Sequence, residues 1–158
     1  MKLLFICIYS IVLIGVPLFE LLVKNYIRRK LKKKLPIYIS DGNIKIHYAR
    51  NYGMMLGFLS NSRKAVIVIT SIMISLIVSI SIYVIFFTEQ NYFLKIGLTL
   101  LSGGSFSNAL ERYIYKYVID YFSFPNFFIK KIRKVIFNFA DICIFVGIFF
   151  IFISIVIF

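Results

Sequence analysis

Residues Ala65–Phe87, AVIVITSIMISLIVSISIYVIFF, run without a single charged side chain. About 20 mostly apolar residues in a helix cover about 30 Å of hydrocarbon, so this stretch is long enough to cross a bilayer. The rest of the chain agrees with that reading. Of 158 residues, 61% are hydrophobic, 18% aromatic and 16% charged, and the mean hydropathy is +0.91. Soluble domains are closer to half apolar and a quarter charged. The composition excludes a disordered chain and a secreted disulfide scaffold, and it argues against a soluble enzyme. Cys7 and Cys143 lie in apolar runs and read as small core residues, not as a redox pair or metal ligands.

Three further stretches flank this one. The expected spans are about 3–23, 65–87, 93–110 and 135–158, with a surface β segment at about 36–60, all in one polytopic domain covering 1–158. The third span is the weakest, because it carries Lys95, Gly97, Gly103, Gly104 and Asn108. The first resembles a signal peptide in having Lys2 before its apolar run, but it is longer than such a segment and carries Glu20 with no small-residue cleavage site behind it. The runs are continuous and lack the period-two alternation of a barrel, so the expected fold is an all-α bundle of four transmembrane helices. Between spans one and two, Ile37, Ile39, Ile44, Ile46 and Tyr48 alternate around Asp41-Gly42, which predicts a small β-hairpin at the membrane surface.

The net charge is +13 and unevenly placed. Eleven basic residues from Lys24 to Lys64 lie between spans one and two. Lys116, Lys130, Lys131, Arg133 and Lys134 lie between spans three and four, whereas the second connection holds only Glu89 and Lys95. With four spans, both basic connections fall on one face of the membrane. By itself, the positive-inside preference puts that face in the cytoplasm. Attraction to anionic phospholipid headgroups is a second reading of the same charge. No nucleic-acid partner is expected, since the basic tract is tethered to the bilayer and carries no binding motif.

Ionisable groups in or beside spans are costly and mark function. Asp141 opens span four three residues after Asn138. Asp120 lies just past span three, in what reads as a loop on the same face, so the two acids can meet. Asn108, Glu111 and Arg112 share one face of span three. Glu20 and Lys24 are four apart at the end of span one, the spacing of a helical ion pair. Asn51, Tyr52 and Gly53, with Gly57, precede span two as a turn. His47 reads as a surface residue. There is no HExxH, cysteine pair at ligand spacing, GxSxG or phosphate loop, so no metal and no cofactor is expected. Two carboxylates sharing a site hold one proton between them. The ionised member can take a proton from water while the protonated one polarises an amide carbonyl.

These residues identify a resemblance. Over nearly its whole length the chain is similar to signal peptidase II, the prolipoprotein signal peptidase family. Asn51-Tyr52-Gly53-Met54-Met55-Leu56-Gly57 resembles N-x-G-A-A-F-G/S. Gly103 to Arg112 resembles G-G-A-x-G-N-x-x-D-R, Val118-Ile119-Asp120-Tyr121 resembles V-V-D-F, and Phe137-Asn138-Phe139-Ala140-Asp141 matches F-N-x-A-D. Glu20 with Lys24 stands where the family has D-Q-x-x-K. The resemblance implies catalytic Asp120 and Asp141, with Asn51, Gly53, Asn108, Arg112, Asn138, Glu20, Lys24 and Glu111 as supporting or substrate-binding residues. It implies an aspartic endopeptidase that cuts a signal peptide before a diacylglyceryl-modified cysteine, and inhibition by globomycin. The departures are Glu for Asp at 20 and 111, Ser107 and Lys116 for glycine, and a longer Asp120–Asp141 connection.

The resemblance also places both termini in the cytoplasm, and the active site and the β-hairpin toward the extracytoplasmic face of a bacterial cell membrane. That opposes the charge rule, and we follow the resemblance, since lysine is abundant throughout this chain. The expected partners are the lipidated prolipoprotein and membrane phospholipid. One four-helix chain suffices for the site, so a monomer is expected. The departures motivate an alternative, a non-enzymatic or altered-specificity paralogue that binds lipopeptide or a globomycin-like inhibitor. A holin-like pore is a remote third reading, resting on size and charge alone.

Overall fold

A computed structural model describes residues 2–54, 59–88 and 91–157. Met55, Leu56, Gly57 and Glu89 lie outside these residues. The described chain is mostly helical: α1 (Lys2–Tyr26), α2 (Arg63–Phe87), α3 (Tyr92–Tyr115) and α4 (Phe139–Ile157), with strands β1 (Ile37–Ile39), β2 (Ile44–Asn51) and β3 (Val118–Ser123). Three of these helical segments, Lys2–Lys34, Arg63–Phe87 and Phe139–Ile157, are long and apolar enough to cross a membrane. α3 is long enough but carries Lys95, Glu111 and Arg112, and it is not among the three.

Each outer helix leaves an apolar stripe uncovered. Leu76, Ile80 and Tyr83 of α2 and Phe149, Phe152 and Ile155 of α4 are exposed, far more apolar surface than a soluble monomer tolerates. The hydroxyls on α2 do not contradict this. Ser71, Ser75 and Ser79 each donate to the carbonyl four residues back, at 2.8 to 2.9 Å, so these three hydroxyls are satisfied within the helix.

α3 is the hub against which the other three helices pack, and small residues set the approach. A methyl on Gly97 would sit 2.8 Å from the Gly147 carbonyl oxygen, and one on Gly147 would sit 2.7 Å from that of Gly97. A methyl on Gly104 would collide with the Ala140 carbonyl oxygen, and one on Gly103 would lie 2.8 Å from Val12 Cγ1. The glycine pair is therefore packing, with backbone against backbone as close helix contact in lipid requires. α2 docks through Ser81 Oγ, 2.8 Å from Ser102 Oγ.

α3 runs five residues beyond the expected end at 110, which brings Glu111 and Arg112 into the helix. It stops at Lys116, whose N–H donates to Arg112 O at 2.9 Å with φ +67. That left-handed stop is where the family pattern has glycine, and a Cβ costs about 1 kcal/mol there. Lys116→Gly should raise the thermal midpoint of the detergent-solubilised protein by a few degrees. No rise would mean that the lysine is compensated locally, for instance by its Nζ bond to Tyr113 O.

The hairpin forms with Ile39 opposite Ile44, turning through Ser40, Asp41 and Gly42, all at positive φ. A two-stranded hairpin alone is marginal. Here β3 arrives from between α3 and α4 and pairs antiparallel with β2. His47 Nε2 lies 2.6 Å from Ser123 Oγ across that pair, which makes this histidine a structural tie between the strands. Asp120, read above as a loop acid, sits on β3. Its segment is rich in β-branched and aromatic residues, a strand signal that sequence analysis passed over. α4 starts at Phe139, not 135, because the Phe137 backbone bridges to Phe122 and Asn138 caps the helix. Of the two cysteines, Cys143 is buried and Cys7 is exposed on α1, so only the first is a core residue.

Candidate active site

The site is assembled at the N-terminus of α4. A helix start leaves its first N–H groups without intrahelical partners, and here four consecutive ones are satisfied. Asn138 N–H donates to Asp141 Oδ2 at 3.0 Å, and Asp141 N–H donates to Asn138 Oδ1 at 2.9 Å. This is a reciprocal capping box with Asn and Asp in place of Ser and Glu. Phe139 N–H donates to the Tyr121 hydroxyl at 3.2 Å, and Ala140 N–H to Glu20 Oε1 at 2.8 Å. A helix dipole favours negative charge at such a place.

The cap residue also reaches across to the second acid. Asn138 Nδ2 donates to Asp120 Oδ1 at 2.8 Å and to Asn108 Oδ1 at 3.2 Å. Asn51 on β2, opposite Val118 of β3, is diagonal to Asp120 on the same sheet face, and its Nδ2 donates to Asp120 Oδ2 at 3.1 Å. Asn108 Nδ2 donates to Asp141 Oδ1 at 2.9 Å. Each of the four carboxylate oxygens thus accepts one bond from an asparagine, and Asn138 touches both acids. Burial first, and then the charge of Asp141, push the Asp120 carboxyl up to about 7 against the Asn138 and Asn51 amides.

Both acids line a cavity of about 280 Å³. Asn51, Asn108, Arg112 and Asn138 line it too, and its apolar walls come from α2 (Met73, Ile77) and α4 (Ile144, Ile148). Arg112 donates from Nη2 to Gly53 O at 3.0 Å and from Nη1 to Asn108 O at 3.2 Å, clamping the turn after β2 onto α3. Gly53 N–H closes that turn on Asn51 Oδ1.

Glu20, Lys24 and Glu111 do not line the cavity. They form a buried strut behind it. Lys24 Nζ lies 2.8 Å from Glu20 Oε2 and 2.6 Å from Glu111 Oε2, while Glu111 Oε1 accepts Ile119 N–H at 3.3 Å. The expected helical ion pair is there, extended by Glu111 into a link between α1, α3 and β3. Breaking a buried pair costs more than its presence gains, so these three residues hold the backbones that carry the acids. Tyr121 was missed in the sequence reading. Its hydroxyl also donates to Glu20 Oε1 at 3.4 Å, and it stands one residue beyond Asp120, where it reads as an ordinary strand aromatic.

A profile of the signal peptidase (SPase) II family matches residues 11–157. The chain is 39% identical over 104 residues to the lipoprotein signal peptidase of Wigglesworthia glossinidia brevipalpis, spanning 66% of this chain and 65% of that protein. It is 32% identical over 138 residues to that of Clostridium acetobutylicum, spanning 87% and 85%. A bacterial membrane enzyme structure solved by the in meso method at 2.3 Å superposes with TM-score 0.79 and 24% identity, over 94% of this chain and 87% of that one, so the fold is shared. The chain belongs to the signal peptidase II family of membrane peptidases.

Proposed function

We propose that this protein is an aspartic endopeptidase that removes the signal peptide of a prolipoprotein before the diacylglyceryl-modified cysteine. The observation that carries the reading is the clamping of Asp120 and Asp141 by one asparagine in the wall of a common cavity. The pair holds one proton, which belongs to both. Water between them gives its proton to the ionised carboxylate and its oxygen to the scissile carbonyl carbon. The protonated carboxyl donates to the carbonyl oxygen. Collapse of the gem-diol breaks the C–N bond, and the proton goes to the departing amine. The products are a signal peptide carboxylate and a free amine on the lipidated cysteine. Asp120 and Asp141 are the catalytic pair. Asn51, Asn108 and Asn138 orient them, and Arg112 with Gly53 shapes the cavity. Glu20, Lys24 and Glu111 act from behind.

α2 and α4 flank α3, and the cavity extends between their apolar sides, which suits the hydrophobic stretch of a signal peptide arriving from lipid. α3 serves as the fourth span in this reading. Its Lys95, Ser102, Asn108 and Arg112 are buried, so lipid does not meet them. The domain is a single polytopic unit in a bacterial cytoplasmic membrane, with both termini in the cytoplasm and the sheet and acids outside. The basic connections then face outward, where each Lys or Arg near an anionic phospholipid surface gains about 1 kcal/mol. Every residue of the site comes from one chain, which suits a monomer. A reporter active only outside the membrane, fused behind α4, should stay silent; activity there would invert the topology.

The deciding test is incubation of the detergent-purified protein with a diacylated precursor, with and without globomycin. Cleavage at the lipidated cysteine, blocked by globomycin, is expected. Binding of globomycin without processing of any precursor would turn the reading to a non-enzymatic relative.

A further inference from the structure

A second cavity, of about 380 Å³, lies under the connection from β3 to α4. Phe124, Phe127 and Ile132 of the connection face Ile142 and Phe145 of α4 across it, and Lys131 is its one charged lining residue among those described. The connection is held in shape. Phe127 N–H donates to Phe124 O at 3.2 Å around Pro125, a turn that proline favours. Asn126 Nδ2 reaches Asn43 Oδ1 at 3.3 Å in the hairpin turn. The Phe124 ring stands between those of Phe127 and Phe137, 6.2 Å from each.

Val135, Phe137 and Phe145 line both this cavity and the catalytic one. We infer that the second cavity receives one acyl chain of the substrate's diacylglyceryl group, an inference that rests on the function proposed above. The thioether sulfur sits on the Cβ of the residue whose nitrogen is the leaving group. The lipid therefore departs from the substrate only a few bonds from the reacting carbonyl and needs an apolar exit that begins at the acids. The signal peptide takes the side between α2 and α4, and the polar mature chain takes the aqueous side. The aromatic cavity is the apolar space that adjoins the acids through a shared wall.

Two measurements test this with the full-length protein in detergent. The first uses a diacylglyceryl-cysteine peptide carrying a photoreactive group at the end of one acyl chain, and maps the crosslinks by mass spectrometry. Crosslinks at Phe127, Ile132 or Ile142 support the assignment. Crosslinks confined to α2 or to the outer faces of α1 and α4 overturn it. The second compares KM along a series of acyl lengths. Each buried methylene is worth about fourfold, so KM should fall as the chain lengthens until the cavity is full. Ile132→Trp, which narrows this cavity and does not line the catalytic one, should raise KM about tenfold for the longest chain and leave the shortest unchanged. A KM independent of length, or unmoved by Ile132→Trp, overturns the assignment while cleavage itself stands. Crosslinks at the cavity without any cleavage would instead sink the peptidase reading and keep the lipid site.

Discussion

Asp120→Asn should slow cleavage of a diacylated precursor by about a thousandfold or more, and Asp141→Asn should do the same. Neither asparagine can take a proton from water or hold the shared one. The fold should survive both changes. At 141 an asparagine carbonyl still accepts the Asn138 N–H and keeps the capping box, and at 120 an amide oxygen still accepts from Asn138 or Asn51. The two variants part company in stability. The Asp120 carboxyl sits at about 7, above its ordinary value near 3.9. Between those values the folded protein binds more protons than the unfolded chain. Stability is therefore full below about pH 4 and lost as pH rises toward 7. Asp120→Asn removes that slope, so its thermal midpoint relative to the unaltered protein should climb from pH 5 to pH 8. Such a gain with loss of activity is the expected sign of a site that spends stability on function. Near-normal cleavage by either variant would leave the pair without a catalytic role.

How much of this was legible in the sequence depends on whether the information was local. The helices are local: a 23-residue run without charge in α2 can do little else in a chain this apolar. The hairpin was visible because Asp41-Gly42 sits between alternating isoleucines. β3 carries a local strand signal in its β-branched and aromatic residues, but its partner, β2, lies some 70 residues earlier, and neither segment alone tells which strand it pairs with. The two aspartates and the asparagines were singled out from their place beside the membrane and from the family resemblance, but the bonding among them was not. Nothing in the spacing of Asn138 and Asp120 indicates that one amide joins them. The roles of Glu20 and Glu111 are likewise tertiary. Each extra methylene looks like a displaced carboxylate on paper, yet both side chains converge on Lys24 behind the cavity. The departures at these positions thus fall on the support of the site and leave the acids themselves untouched.

Asn138→Ala should cost about 100-fold in kcat with little change in KM, since a displacement near 1 Å of a reacting group has that effect. The asparagine does two jobs that can be separated. As a helix cap it stabilises α4 by about 1 kcal/mol. As an amide donor it fixes Asp120 against Asp141 and favours the ionised form of Asp120. Serine caps a helix nearly as well as asparagine but has no amide to offer Asp120. Asn138→Ser should therefore restore the thermal midpoint lost in Asn138→Ala without restoring the rate. Both variants should also shift the pH profile. Activity falls on the alkaline side as the pair loses its shared proton, and with one donor to the ionised carboxylate gone, Asp120 keeps that proton to higher pH. The alkaline limb should move upward in both, measured as kcat/KM against pH on a diacylated precursor. If rate and stability recover together in Asn138→Ser and the limb stays in place, Asn138 is a cap and nothing more, and the alignment of the two acids must come from Asn51 and Asn108 instead.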